Sequence, residues 1–180
     1  MKIAISGKSG CGNTTVSRIV ADRLGLSFIN FTFRTLAEKR GLSLEEVLKR
    51  AAADDSWDRE VDDTQVRLAR ESPGCVLGSR LALWMLSDAD LKVYLKAEPL
   101  TRARRITLRE GGELQAVADF TRERDRQDRE RYLRLYNIDN DDYSGADLVI
   151  DTDALTPEEI AGRIIGSVNG QAAGEKADGG

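Results

Sequence analysis

The sequence predicts an α/β protein, a three-layer α/β/α sandwich built on a parallel five-stranded sheet. Three observations carry this expectation. Five short apolar runs punctuate the chain, and segments with helical spacing separate them. That alternation forces crossover connections and parallel neighbours. A glycine-rich turn, "GKSGCGNTT" (Gly7 to Thr15), stands between the first apolar run and the first helical pattern, where anions bind a helix N-terminus.

The elements follow in order. "KIAIS" is a short buried strand. Val16, Ile19, Val20 and Leu24 recur at helical spacing, and Gly25 ends that helix. "LSFIN" (Leu26 to Asn30) is a short strand, and "FRTLAEKRG" is a helix closed by Gly41. Ser43 and Glu46 stand at capping-box spacing before the next helix. Trp57 to Ser72 is a long helix, and "CVLG" and "LKVYLKA" are strands. Pro99 suits the first turn of "PLTRARRITLRE". Gly111-Gly112 forms a loop or hinge, and an arginine-rich helix runs on to about Asn137. "DLVIDT" is the last strand, and Thr156, Pro157 and Glu159 open the last helix. Residues 1–168 form one domain; 169–180 lack apolar periodicity and are expected to be a disordered tail.

Composition excludes several classes. With 41% hydrophobic and 32% charged residues, the chain reads as an ordinary globular domain. It has no apolar run of about 18 residues to span a membrane. Its start, Met1 to Ser6, is too short for a signal peptide. Cys11 and Cys75 form no disulfide framework or metal-ligand spacing, so a cytoplasmic protein is expected. Histidine is absent, which removes histidine triads and histidine metal sites. The net charge is −4, yet ten arginines lie between Arg102 and Arg134. A local cationic cluster on an acidic chain points to a compact anionic ligand rather than to nucleic acid.

The loop fits the phosphate-binding template GxxxxGK[ST] with Gly7, Gly12 and Thr14 in place and Asn13 where lysine belongs. Its backbone N–H groups and the helix dipole hold phosphates, so Gly7, Lys8, Ser9, Gly10, Cys11, Gly12, Asn13, Thr14 and Thr15 are candidate ATP contacts. Thr14 is placed to put its hydroxyl on magnesium. Asn13 can donate a hydrogen bond without charge. Lys8 either substitutes for the missing lysine or is a solvated loop residue. Cys11 is a small residue in a tight turn, or a thiol made reactive by the helix N-terminus.

Further motifs stand in one order: "FRTLA" (Phe33 to Ala37), "SLEEV" (Ser43 to Val47), "DREVD" (Asp58 to Asp62), "VLGSRLA" (Val76 to Ala82), "ADLKVYL" (Ala89 to Leu95), Arg109-Glu110, Arg131-Tyr132, "YNIDNDD" (Tyr136 to Asp142) and "DLVIDT" (Asp147 to Thr152). In this order the chain resembles the archaeal-type cytidylate kinases, a branch of the nucleoside monophosphate kinases, from Met1 to about Val168. The resemblance implies a P-loop kinase fold with an acceptor-binding segment at about 31–72 and an arginine-rich lid at about 102–134. It implies magnesium-dependent transfer from ATP to CMP or dCMP, by a monomer. Two departures stand out: Asn13, and Gly78 where the family pattern has glutamate.

In that resemblance Arg34 and Arg80 grip the acceptor phosphate, as planar guanidinium forks do. The alternative for Arg34 is a solvated helix face. Asp58 and Asp62, one turn apart on a helix face, face the acceptor nucleoside, where a carboxylate can accept from the cytosine amino group. The alternative is a salt-bridged surface with Arg59 and Arg67. Arg102, Arg105, Arg109, Arg124 and Arg131 would close over the transferring phosphoryl group with Lys8 and Asn13. Only two or three can reach it; the rest pair with acidic neighbours. The rival readings are a kinase of another nucleotide or small acceptor, and a nucleotide-binding protein with weak turnover because of Asn13 and Gly78.

Overall fold

The computed structural model describes residues 1–177, with side chains to residue 170. The five strands are β1 (Lys2–Gly7), β2 (Ser27–Ile29), β3 (Cys75–Gly78), β4 (Leu91–Lys96) and β5 (Leu148–Asp151). They form one all-parallel sheet in the order β2-β3-β1-β4-β5. The helices are α1 (Asn13–Leu24), α2 (Phe33–Arg40), α3 (Leu44–Ala51), α4 (Ser56–Glu71), α5 (Ala82–Met85), α6 (Pro99–Glu110), α7 (Leu114–Tyr136) and α8 (Pro157–Ala177).

The central strand shows how the sequence makes the layers. Successive side chains of a strand point to opposite faces. Ile3 and Ile5 enter a core with Val16 and Val20 of α1 and Ile160 and Ile164 of α8. Ala4 enters the opposite core with Ala69 of α4 and Ala82 and Leu86 around α5. Ser6 is fully buried on that second face because its Oγ accepts from the Leu83 backbone N–H at 2.8 Å. Burial on both faces explains why the strands read as continuous apolar runs. Chain direction reverses around β1: α1 leads outward to β2, and the chain after β3 crosses to β4. Such a switch point opens a crevice beyond the strands' C-terminal ends.

A third core of Phe31, Leu36, Ala37, Val47 and Val61 holds α2, α3 and α4 as a helical wall beside that crevice. The Ser43–Glu46 capping box is present in full. Helices α6 and α7 form a hairpin opposite, turning at Gly111 and Gly112, which have φ of 81° and 102°. Two details differ from the sequence reading. Helix α5 is too short for periodicity to reveal it. Helix α8 is continuous to Ala177 and so runs into the segment 169–180 expected to be a disordered tail; 178–180 lie outside the described residues.

Candidate active site

A cleft of about 470 Å³ opens at the C-terminal ends of β1 and β3. The glycine-rich loop is its floor, helices α2 and α4 one wall and the α6–α7 hairpin the other. Gly7, Lys8, Ser9, Gly10, Gly12, Asn13, Thr14 and Thr15 all line it. Cys11 does not. Its side chain joins the α1 core, and burial pushes its thiol pKa up to about 11, which makes it the small inert residue of the two readings.

Gly10 shows why the loop needs glycine. Its φ is +86°, and a Cβ there would lie 2.8 Å from the backbone of Arg102. Arg102 is 4% exposed, donates to the Ser9 carbonyl at 3.1 Å and grips both oxygens of Asp125. Arg105 donates to the Gly10 carbonyl at 3.3 Å and to Thr152. Arg102 and Arg105, two of the five arginines expected over the phosphoryl group, therefore buttress the loop from behind, and neither lines the cleft. Their spacing on α6 turns them toward loop carbonyls.

Asn13 is also occupied. Its Nδ2 donates to the Ser79 carbonyl at 3.0 Å, and its Oδ1 accepts from Ser17 Oγ at 3.0 Å. A Cβ at Gly78 would lie 2.6 Å from that same Ser17 Oγ. The two departures from the family pattern are thus one arrangement: Ser17 fills the space a residue-78 side chain would need and orients the Asn13 amide. Lys8 is neither free nor merely solvated, because Asp141 pairs with its ammonium. Asp141 sits on a loop held by Arg129 on Asp139 and by stacking of Tyr143 on Tyr94 at 4.4 Å.

Thr14 is exposed in the cleft, with Asn30 Nδ2 3.4 Å from its hydroxyl. Arg80, Arg109, Arg124 and Arg131 also reach the cleft. Arg80 and Arg131 each approach the buried Asp128 at 2.7 Å, and Arg131 Nε lies 3.2 Å from Asp58. Arg109 pairs with its exposed neighbour Glu110. Arg124 makes no ion pair among the described residues. Desolvation and the nearby Arg80 charge lower its proton affinity, so an anion there would relieve it. Arg34 stays on the outer side of α2, exposed and outside the cleft, because Leu36 and Ala37 take the buried face and Phe33 the cleft face. The solvated-face alternative fits it.

Asp58 and Asp62 do share one face of α4 and line the cleft. Their suggested surface partners turn away: Arg59 donates to the Leu135 carbonyl and Arg67 pairs with Glu71. Asp62 accepts from the Tyr136 hydroxyl at 2.8 Å and from Gln65 Nε2 at 2.9 Å. Burial still pushes its pKa up from 3.8 to about 6. Sequence reasoning did not single out Asn30, Gln65, Asp128, Tyr132 or Asp141. Gln65 carried a usable signal, since it follows Asp58 and Asp62 by seven and three residues on the same helix face.

Two outcomes test this geometry. Asp125→Ala strips a buried guanidinium of its partner and should destabilise the protein by about 3–5 kcal/mol in urea unfolding. For Asp62, the native state binds its proton more tightly than the unfolded chain. Its contribution to stability is therefore complete below about pH 4 and lost as pH rises through about 6. Relative to Asp62→Asn, the wild-type protein should lose about 3 kcal/mol of unfolding free energy between those limits. Parallel pH profiles for the two proteins would contradict it.

Comparison with known proteins shows the family and the fold. Residues 2–154 match the family model described as cytidylate kinase-like. Cytidylate kinase 2 of Borreliella afzelii (strain PKo) is 47% identical over 164 residues, 89% of this chain and 92% of that protein. Cytidylate kinase of Archaeoglobus fulgidus is 39% identical over 170 residues, covering 93% and 94%. Among solved structures, shikimate kinase from Acinetobacter baumannii superposes with a TM-score of 0.67 at 16% identity, covering 94% and 93%. A deoxyadenosine kinase from M. mycoides gives 0.58 at 16% identity, covering 94% and 100%; both share the P-loop kinase fold. The chain belongs to the cytidylate kinase-like family.

Proposed function

We propose that this protein transfers the terminal phosphoryl group of ATP to CMP or dCMP. The observation that carries the reading is one continuous cleft with a phosphate loop on its floor, arginines Arg80, Arg124 and Arg131 between its two ends, and a buried carboxylate–amide pair on the acceptor side. Phosphoryl transfer needs positioning and charge neutralisation rather than a protein nucleophile, so a chain without histidine lacks nothing.

Each part has a task. Backbone N–H groups of the loop and the α1 N-terminus bind the donor phosphates. Arg80 and Arg131, both held by Asp128, present guanidinium groups at fixed positions to the acceptor phosphate and the group in flight. Arg124, without an ion pair, is the cation best placed to follow the developing charge. Lys8 adds charge once phosphate competes with Asp141 for it. Thr14 fits a magnesium role, with an exposed hydroxyl at the start of α1, and the metal would supply charge neutralisation on the donor phosphates. The α6–α7 hairpin, hinged at Gly111-Gly112, would shut water out. A cleft built from one chain suits a monomer, and the free, buried Cys11 and Cys75 suit a reducing cytoplasm.

A coupled ADP-release assay with a monophosphate panel tests the assignment. CMP or dCMP should stimulate most; a tenfold preference, about 1.4 kcal/mol, for AMP, GMP or a non-nucleotide acceptor would overturn it. Arg124→Ala should lower kcat by roughly 10- to 150-fold, the loss of a charge-assisted bond worth about 1.5–3 kcal/mol, without moving the melting temperature. Arg80→Ala should lower both. Lys8→Ala should slow turnover more than about tenfold, with Lys49→Ala, on the exposed side of α3, as the control; a Lys8→Ala enzyme at full rate would leave the load to the arginines.

A further inference from the structure

We propose that Gln65 selects cytosine over uracil, accepting the 4-amino group of the base on its side-chain carbonyl while Asp62 fixes which way its amide points. This deepens the functional reading above and rests on it.

The observation is an orphan. Gln65 is 4% exposed, lines the cleft, and its Oε1 has no hydrogen-bond partner among the described residues. A buried carbonyl left unmatched is costly, so a donor arriving from the cleft is favoured. The orientation of the amide follows from its neighbours. Tyr136 donates its hydroxyl proton to Asp62 Oδ2 at 2.8 Å, so Asp62 acts there as an acceptor. Its other oxygen also needs a donor, and Gln65 Nε2 supplies it at 2.9 Å. With the NH2 committed to Asp62, the carbonyl must face the other way. Phe31, Phe33 and Val61 supply apolar surface around the same end of the cleft, as a flat base requires.

The chemistry then discriminates. Cytosine carries an amino donor at position 4, where uracil carries a carbonyl acceptor. The amino group satisfies Gln65 Oε1. Uracil would bring two acceptors face to face and leave both desolvated. Sites that hydrogen-bond a substrate NH reject analogues lacking it far more strongly than apolar pockets do.

Reversing the amide is the decisive test. In Asp62→Asn, the new side chain can accept from Tyr136 on its oxygen and donate its NH2 to Gln65 Oε1. Gln65 then turns its own NH2 to the cleft and offers a donor to uracil. Steady-state kinetics with CMP and UMP would be measured for wild type, Asp62→Asn and Gln65→Met, with thermal melts to confirm folding. The wild-type ratio of kcat/KM should favour CMP by about 100-fold or more. Gln65→Met should reduce that ratio at least tenfold with KM for ATP within twofold, and Asp62→Asn should bring it below one. Purely structural roles would lower both substrates together. On the unaltered enzyme, a CMP analogue with hydrogen in place of the 4-amino group should lose at least tenfold in kcat/KM, a readout independent of variant folding. A Gln65→Met enzyme with the wild-type ratio, or full activity on the analogue, overturns the inference while leaving the kinase reading intact. A wild-type protein that phosphorylates neither pyrimidine nucleotide overturns both.

Discussion

Asp128 is the charge on which the site depends. It is 6% exposed, yet Arg80 and Arg131 approach its two oxygens at 2.7 Å from different elements. Arg80 follows β3, and Arg131 lies one turn along α7 and continues the chain of charge to Asp58 on α4. One buried carboxylate thus ties the sheet edge, α7 and, through Arg131, α4 together. A buried ion pair adds little net stability against an apolar substitute, but breaking one leaves an uncompensated charge. Its value here is geometric. Two guanidinium groups that would repel each other are held side by side in the cleft.

The absent loop lysine looks different beside that knot. The amide of Asn13 bridges Ser17 and the Ser79 carbonyl, immediately before Arg80. It therefore links the start of α1, where Thr14 sits, to the turn that carries Arg80. Glycine at 78 follows from the space Ser17 occupies. The features that suggested weak turnover from sequence belong to one contact between the loop and β3.

The sheet, its five strands and nearly every helix were legible, because short apolar runs, period-3.6 patterns and the caps at Gly25, Gly41 and Ser43 act locally. So was the phosphate loop, since strand, glycines and helix are consecutive. The arginine roles were not. Ten arginines in one stretch look alike, and what separates them is the partner each meets across the fold. Arg126, with Glu123 and Glu130 one turn either side, could be read as a surface pair. Arg102 could not, because its partners are a loop carbonyl 93 residues away and Asp125 on the next helix. Arg34 shows the same in reverse: a motif match supplies a residue type, while the helix face leaves it exposed and outside the cleft lining.

The charge balance of the cleft follows from these partners. In the proposed function the glycine-rich loop faces several negative charges of a nucleotide with only a helix dipole of roughly half a charge to offset them. Arg102 is neutralised by Asp125 behind the loop, and Arg80 and Arg131 share Asp128. Lys8 is held by Asp141. Among the described residues these cations are thus stored against carboxylates, whereas Arg105, bonded to Gly10 and Thr152 oxygens, and Arg124 have none. Pairing keeps like charges compatible, and in the proposed function a phosphate draws on it by replacing a carboxylate with a ligand oxygen. The exchange is easiest where the carboxylate is most exposed. Asp141 is 44% exposed and Asp128 only 8%, both by side chain. The Lys8–Asp141 pair is thus the more open to exchange, and the Asp128 pairs are the more enclosed.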